Sequence, residues 1–138
     1  MTLYKLKAST IDVDFTGPGE DIELFRNAAN LVQSGFKVDS WKDGQVFSQA
    51  LPSDYLANST LIKKMKNIEL RALAPIDIVV TKIGRLDGRD AEDIKACIAG
   101  FKLRKKAIIS RAKNVQYVGN ESLYEYSLSS AMKEFFPN

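Results

Sequence analysis

At 138 residues, with 45% hydrophobic and 27% charged side chains, the chain suffices for one domain with a real core and has the make-up of an ordinary soluble globular protein. It has no histidine and one cysteine, which excludes Ser–His and Cys–His catalysis, imidazole zinc sites and thiolate clusters. No apolar run nears the roughly 20 residues that span a bilayer, so no membrane partner is expected; the formal net charge of +3 permits a nucleic-acid partner without arguing for one.

In chain order, Thr2 to Ala8 reads as the tail of a helix, with Leu3 and Leu6 on one stripe. The stretch lacks the apolar core of a secretion signal, and the lone Cys97 suits a reducing compartment, so a cytoplasmic location is expected. Ile11-Asp12-Val13-Asp14-Phe15 alternates apolar and acidic residues, as a strand with one buried face does. Gly17-Pro18-Gly19 breaks it, and Glu20 to Ser34 follows as a helix with a stripe of Ile22, Phe25, Ala29 and Val32, flanked by Leu24, Ala28 and Leu31. Phe36 to Trp41 and Gln45 to Leu51 are expected to form a hairpin around the Lys42-Asp43-Gly44 turn. Pro52 to Lys66 reads as a loop holding a short helix through Tyr55, Leu56, Leu61 and Ile62, and Asn67 to Leu73 as another strand.

Pro75 suits the first turn of a helix that continues from Ile76 to Leu86, with a break at Asp87-Gly88. Arg89 to Phe101, a basic segment from Lys102 to Val118, and an amphipathic segment from Asn120 to Phe136 are all read as helical. Cys97 falls in an apolar helical pattern and is read as core. The expected architecture is α+β: a mixed sheet with flanking helices, forming one domain whose residues 1–73 are sheet-rich and whose residues 74–138 are helical.

With imidazole and thiolate excluded, chemistry must rest on carboxylates, lysine, arginine, hydroxyls and backbone, and carboxylates favour hard cations such as magnesium or manganese. Asp12 and Asp14 stand two apart on a strand and so share a face. Two like charges held side by side repel, and a divalent cation that also holds phosphate oxygens would relieve them. Lys102, Arg104, Lys105, Lys106, Arg111 and Lys113 form a basic run that reads as a solvated face or an RNA-backbone contact.

The Ser9 to Phe15 segment resembles the signature strand of the nucleotidyltransferase superfamily, the fold shared with DNA polymerase beta. Leu73 to Lys82 followed by Arg89-Asp90-Ala91-Glu92-Asp93-Ile94 is similar to the closing segment of small nucleotidyltransferase-like proteins related to the AbiEii toxins. The resemblance implies a magnesium-dependent (or manganese-dependent) transfer of a nucleotidyl group from a nucleoside triphosphate to a hydroxyl of RNA, tRNA or protein. It implies Asp12 and Asp14 as metal ligands and a third carboxylate, with Asp39 the first candidate and Glu69 the alternative. Ser9, Thr10, Lys82, Arg89 and Asp90 would line the nucleotide site, although Asp90 and Asp93 also suit a role in pairing with Lys82, Arg85 or Arg89. The family's link to toxin–antitoxin systems brings in an antitoxin-like protein partner. One departure stands out: the glycine turn expected about ten residues before Asp12, which brings backbone N–H groups to the phosphates, is missing. A reading frame that begins late and a degenerate, non-catalytic fold that serves as a binding or regulatory module both account for it. In either case this 138-residue chain is expected to show weak or no nucleotidyl transfer, and robust incorporation of labelled nucleotide would contradict that expectation.

Overall fold

The computed structural model describes residues 2–6, 12–32, 35, 37–47, 49–119 and 121–137. After a short 3-10 turn at Thr2–Tyr4 come strand β1 (Asp12–Gly17), helix α1 (Gly19–Leu31) and strand β2 (Lys37–Lys42). Strands β3 (Gln45–Val46) and β4 (Gln49–Ala50), the single turn α2 (Tyr55–Asn58), and strands β5 (Thr60–Lys64) and β6 (Glu69–Ala72) follow. Helices α3 (Pro75–Ile83), α4 (Gly88–Phe101) and α5 (Lys105–Ala112), strand β7 (Gln116–Tyr117) and helix α6 (Glu121–Phe135) complete the chain. The α+β class expected from the sequence is the one adopted. Among the described residues the strands form three small sheets rather than one mixed sheet: β1-β2 parallel, β3-β4-β7 antiparallel, and β5-β6 antiparallel.

The core lies in the helical half. Val79, Val80 and Ile83 of α3 meet Ile94 and Cys97 of α4, Ile108 and Ala112 of α5, and Ala131 and Met132 of α6, all buried. Each aliphatic side chain so removed from water contributes about 1.5–3 kcal/mol. Pro75 occupies the first turn of α3, where its missing N–H costs nothing. Phe135 and Phe136 fold back against this core, and Tyr124 closes it, its hydroxyl donating to the Val80 carbonyl at 2.9 Å. No helix among the described residues is long and apolar enough to cross a membrane.

The other layer is thinner. α1 packs on one face of the β1-β2 pair, with Phe15 against Phe25 at 4.5 Å between ring centres and Ile22 buried. Leu24, Leu31 and Val32 are exposed, so the apolar face is narrower than the sequence pattern suggests. A sheet of two strands is too narrow to cover a wide helix stripe.

Several local expectations are corrected. The Asp43-Gly44 turn forms, both residues at positive φ, but it does not join β2 to β3 in a ladder. The Asp43 and Gly44 N–H groups donate instead to the Gly17 carbonyl and the Thr16 hydroxyl, continuing the parallel pairing of β2 with β1. Gly44 is needed twice over: its φ is +78°, and a Cβ there would come within 2.7 Å of the Tyr55 ring. Leu61 and Ile62 belong to β5, not to a helix. The basic segment is broken by Lys102, which takes a left-handed conformation at the end of α4, and by β7. Arg111 leaves the basic face altogether. Its guanidinium grips the fully buried Asp77 carboxylate at 2.6 and 3.0 Å and reaches Asp54 at 2.6 Å.

The Asp77–Arg111 pair yields a stability prediction. Arg111→Met strands a buried carboxylate and is expected to lower unfolding stability by about 3–5 kcal/mol in urea denaturation, whereas Asp77→Leu combined with Arg111→Met recovers most of that loss. A single variant as stable as the parent would contradict it.

Candidate functional site

The carboxylates sit where the parallel ladder sets them. β1 and β2 pair Asp14 with Asp39 and Asp12 with Lys37. Partners in a ladder project to the same face, so Asp14 and Asp39 share the face opposite α1, and Trp41, two residues beyond Asp39, joins them. The Asp12 side chain, and Ser9 and Thr10 as a whole, lie outside the described residues. Asp39 also pairs with Lys37 at 3.0 Å.

Burial first, and then the neighbouring Asp39 charge, push the Asp14 carboxyl above its ordinary value. The Trp41 indole and the positive charges of Arg85 and Lys82 pull the other way without cancelling the rise. The indole N–H faces Asp14, but its geometry falls short of a full hydrogen bond, leaving the buried Nε1 without a partner among the described residues.

Across from the carboxylates stand the end of α3 and the start of α4. Lys82, in the last turn of α3, and Arg85, in the turn just after that helix, converge on Asp90, which has no exposed surface. Lys82 Nζ donates to Asp90 Oδ1 at 2.8 Å and pairs with Asp93 at 2.9 Å. Arg85 makes a forked contact to Asp90 at 2.5 and 2.7 Å. Burial pushes the Asp90 carboxyl up, but the hydrogen bonds from Arg85 and Lys82 outweigh it and hold the group below the usual range. Likewise, burial disfavours the Lys82 charge, and the bonds it donates to Asp90 and Asp93 more than restore it. Asp87 caps α4 by accepting from the Asp90 N–H at 2.9 Å, which fixes the backbone that carries the hub.

Arg85 is also held from its flat side. Its Cζ lies 4.7 Å from the centre of the Phe47 ring, and Phe47 packs at 5.1 Å against Trp41. Behind them, buried Gln49 donates to the Thr81 carbonyl and leaves its Oε1 without a partner among the described residues. A Cβ on Gly84 would come within 2.7 Å of the Gln49 amide, so a side chain here would have to displace that amide from the Thr81 carbonyl.

The structure therefore brings together Asp14, Asp39, Lys82, Asp90 and Asp93, with Arg85, Trp41 and Phe47 completing the group. It does not bring Arg89, which is exposed, or Glu69, which lies on β6 paired with Lys64 at 3.2 Å and Arg71 at 3.1 Å. The sequence marks Arg85 only as a pairing partner and gives no sign of Phe47; the spacing of three residues from Lys82 is the available signal for Arg85. Among the described residues no group of three or more acidic or cysteine side chains converges as a metal cage. Two hollows of about 330 and 410 Å³ run along α6 and contain none of these residues. Comparison with family models, curated proteins and solved structures returned no match.

The raised Asp14 pKa fixes the sign of a pH effect. A carboxyl whose folded pKa lies above its unfolded value contributes stability at low pH and loses it as pH rises through the folded pKa. Asp14→Asn removes the ionised form, so at pH 7 this variant is expected to melt at a higher temperature than the parent. The difference should vanish as pH falls below the ordinary carboxylate value of 3.8. Equal melting temperatures at pH 7 would show that Asp14 bears no such cost.

Proposed function

We propose that the face shared by Asp14 and Asp39 binds the metal-complexed phosphates of a nucleoside triphosphate, and that the reaction for which this arrangement is suited is nucleotidyl transfer to a hydroxyl. The observation that carries this reading is the register pairing of Asp14 with Asp39, opposite Arg85 and Lys82. Two adjacent carboxylates repel, and the elevation of Asp14 expresses that repulsion together with burial. An oxygen-only donor set with no imidazole suits magnesium or manganese. Asp14 and Asp39 would hold the cation, with Asp12, on the same strand, as the further ligand expected from the sequence. When bound, such a cation supplies charge neutralisation for the phosphate oxygens and for the leaving pyrophosphate.

The chain's own groups divide the remaining work. Arg85, fixed by Asp90 and Phe47, presents a preorganised cation towards the carboxylate face, where it would contact phosphate without first reorganising. Lys82 adds positive potential, while Asp90 and Asp93 orient it. Asp39 would accept the proton of the attacking hydroxyl. Trp41 and Phe47 form an apolar wall that lowers the local dielectric.

The pairing of Lys82 with two carboxylates also supports a second reading. A lysine so engaged is less available to phosphate, which suits a fold retained as a non-catalytic binding or regulatory module with an antitoxin-like partner.

Calorimetric titration with each nucleoside triphosphate and magnesium tests the first reading. Binding is expected to require the metal and to weaken by about 10–100-fold or more in Asp14→Asn and Asp39→Asn. Binding that survives both substitutions, or no binding of any nucleotide, overturns it, and the second outcome favours the non-catalytic module.

A further inference from the structure

The β5-β6 hairpin contributes nothing to the group formed around Asp14 and Asp90. All five residues of β5 and the whole connection from Met65 to Ile68 are exposed, and β6 is the only strand that pairs with β5 among the described residues. Its root is anchored by Arg71, whose guanidinium donates to the Ser59 hydroxyl at 2.8 Å and to the Ser59 carbonyl at 3.1 Å. The result is a two-stranded ribbon projecting from a fixed base.

The charge on this ribbon is unusual. Residues 60–72 carry Lys63, Lys64, Lys66 and Arg71 against the single carboxylate Glu69, a surplus of three, which equals the formal net charge of the entire chain. The remainder of the molecule is balanced. Lys64 and Arg71 are partly neutralised by Glu69, whereas Lys63 and Lys66 make no ion pair among the described residues. Leu61, Ile62, Met65 and Ile68 are exposed among these cations.

Three kinds of partner can be weighed. A strand added to the edge of β5 would meet the β-bulge between Leu61 and Lys63, which interrupts the regular ladder, and a row of lysines; both are devices that discourage strand pairing. A lipid surface needs apolar and basic residues segregated on opposite faces. In the observed register Leu61 shares a face with Arg71, and Lys63 shares a face with Leu70, so the two kinds are interleaved on both faces. A single-stranded nucleic acid would be held by stacking on aromatic rings, and residues 60–72 contain none.

We infer that the β5-β6 ribbon binds duplex DNA, lying in the major groove. That groove, about 12 Å wide, admits a two-stranded ribbon, whose strands lie about 4.8 Å apart with side chains on both faces. Interleaving is then an advantage: lysines reach the phosphates on either side while Met65 and Ile68, which face each other across the hairpin on the side of Lys63 and Leu70, meet the groove floor, where thymine methyl groups offer apolar contact. The deep, narrow major groove of A-form RNA gives no such access. The inference rests on the ribbon alone and is independent of the carboxylate site.

Fluorescence anisotropy with a labelled 20-base-pair DNA duplex of mixed sequence tests it. The duplex should bind in a salt-dependent manner, and more tightly than an RNA duplex or a single strand of the same sequence. Lys63→Glu with Lys66→Glu should weaken binding at least about tenfold and reduce the slope of log affinity against log salt by about 2. Lys105→Glu with Lys106→Glu, on α5, should leave binding unchanged. Absence of duplex binding, equal binding of RNA duplex or single strand, loss in the α5 variant instead, or binding only to vesicles of anionic phospholipid or to polyglutamate would each overturn it. Both double variants alter exposed or partly exposed lysines, and matching circular dichroism spectra show whether the fold is retained.

Discussion

A carboxylate sealed from water persists only if cations accompany it inward, and Asp90 is the point at which this protein meets that requirement. Because its partners are Lys82 at the end of α3 and Arg85 in the turn that follows, satisfying Asp90 also determines where those two side chains end. Arg85 cannot swing freely, since one side of its fork is committed to Asp90 and its flat face to Phe47. Phe47 in turn rests on Trp41, whose indole faces Asp14. A buried charge in the helical half is thus connected, contact by contact, to the carboxylate face of the β1-β2 pair. Gln49 and Gly84 reinforce the connection by bringing the end of α3 against β4 closely enough that a Cβ at position 84 would meet the Gln49 amide.

The second buried ion pair serves a different purpose. Asp77 and Arg111 join α3 to α5, and Asp54 extends the link towards α2 and the sheet-rich half. β7 adds a backbone connection of the same kind, since it leaves the helical region to pair with β4. The two halves visible in the sequence are therefore cross-braced. One brace is electrostatic and sits at the opposite end of α3 from Lys82; the other is the short antiparallel ladder of β7 with β4.

What could be read in advance was whatever depends on near neighbours. The Asp-x-Asp strand, the proline-started helix, the break at Asp87-Gly88 and the burial of Cys97 are all set by spacing of a few residues, and all lie where the pattern puts them. Pairing of Asp90 with Lys82 and Arg85 was among the pairings the sequence offered, because a short connection joins the end of α3 to the first turn of α4. The Asp43-Gly44 turn misled, because turn chemistry specifies a reversal but not the strand on which the reversal docks; Gly17 and Thr16 decided that. Arg111 stood within a basic run, and nothing local distinguished it from its neighbours; its partner is 34 residues away. The exposure of Leu24 and Leu31 follows from the width of a sheet, a property of assembly that no helical periodicity contains.

The uneven placement of charge has a consequence for how the molecule behaves in bulk. Apart from the β5-β6 ribbon, cations and anions are equal in number, so the body resembles a particle at its isoelectric point, and mutual repulsion between molecules comes from one projecting element. Such a particle is colloidally polar. Any polyanion that neutralises the ribbon also removes the charge that keeps copies apart, so occupancy of the ribbon and self-association are coupled through solubility rather than through any shared contact. Solution clarity would then depend on the ratio of polyanion to protein, with turbidity greatest near charge equivalence and relieved by excess of either component.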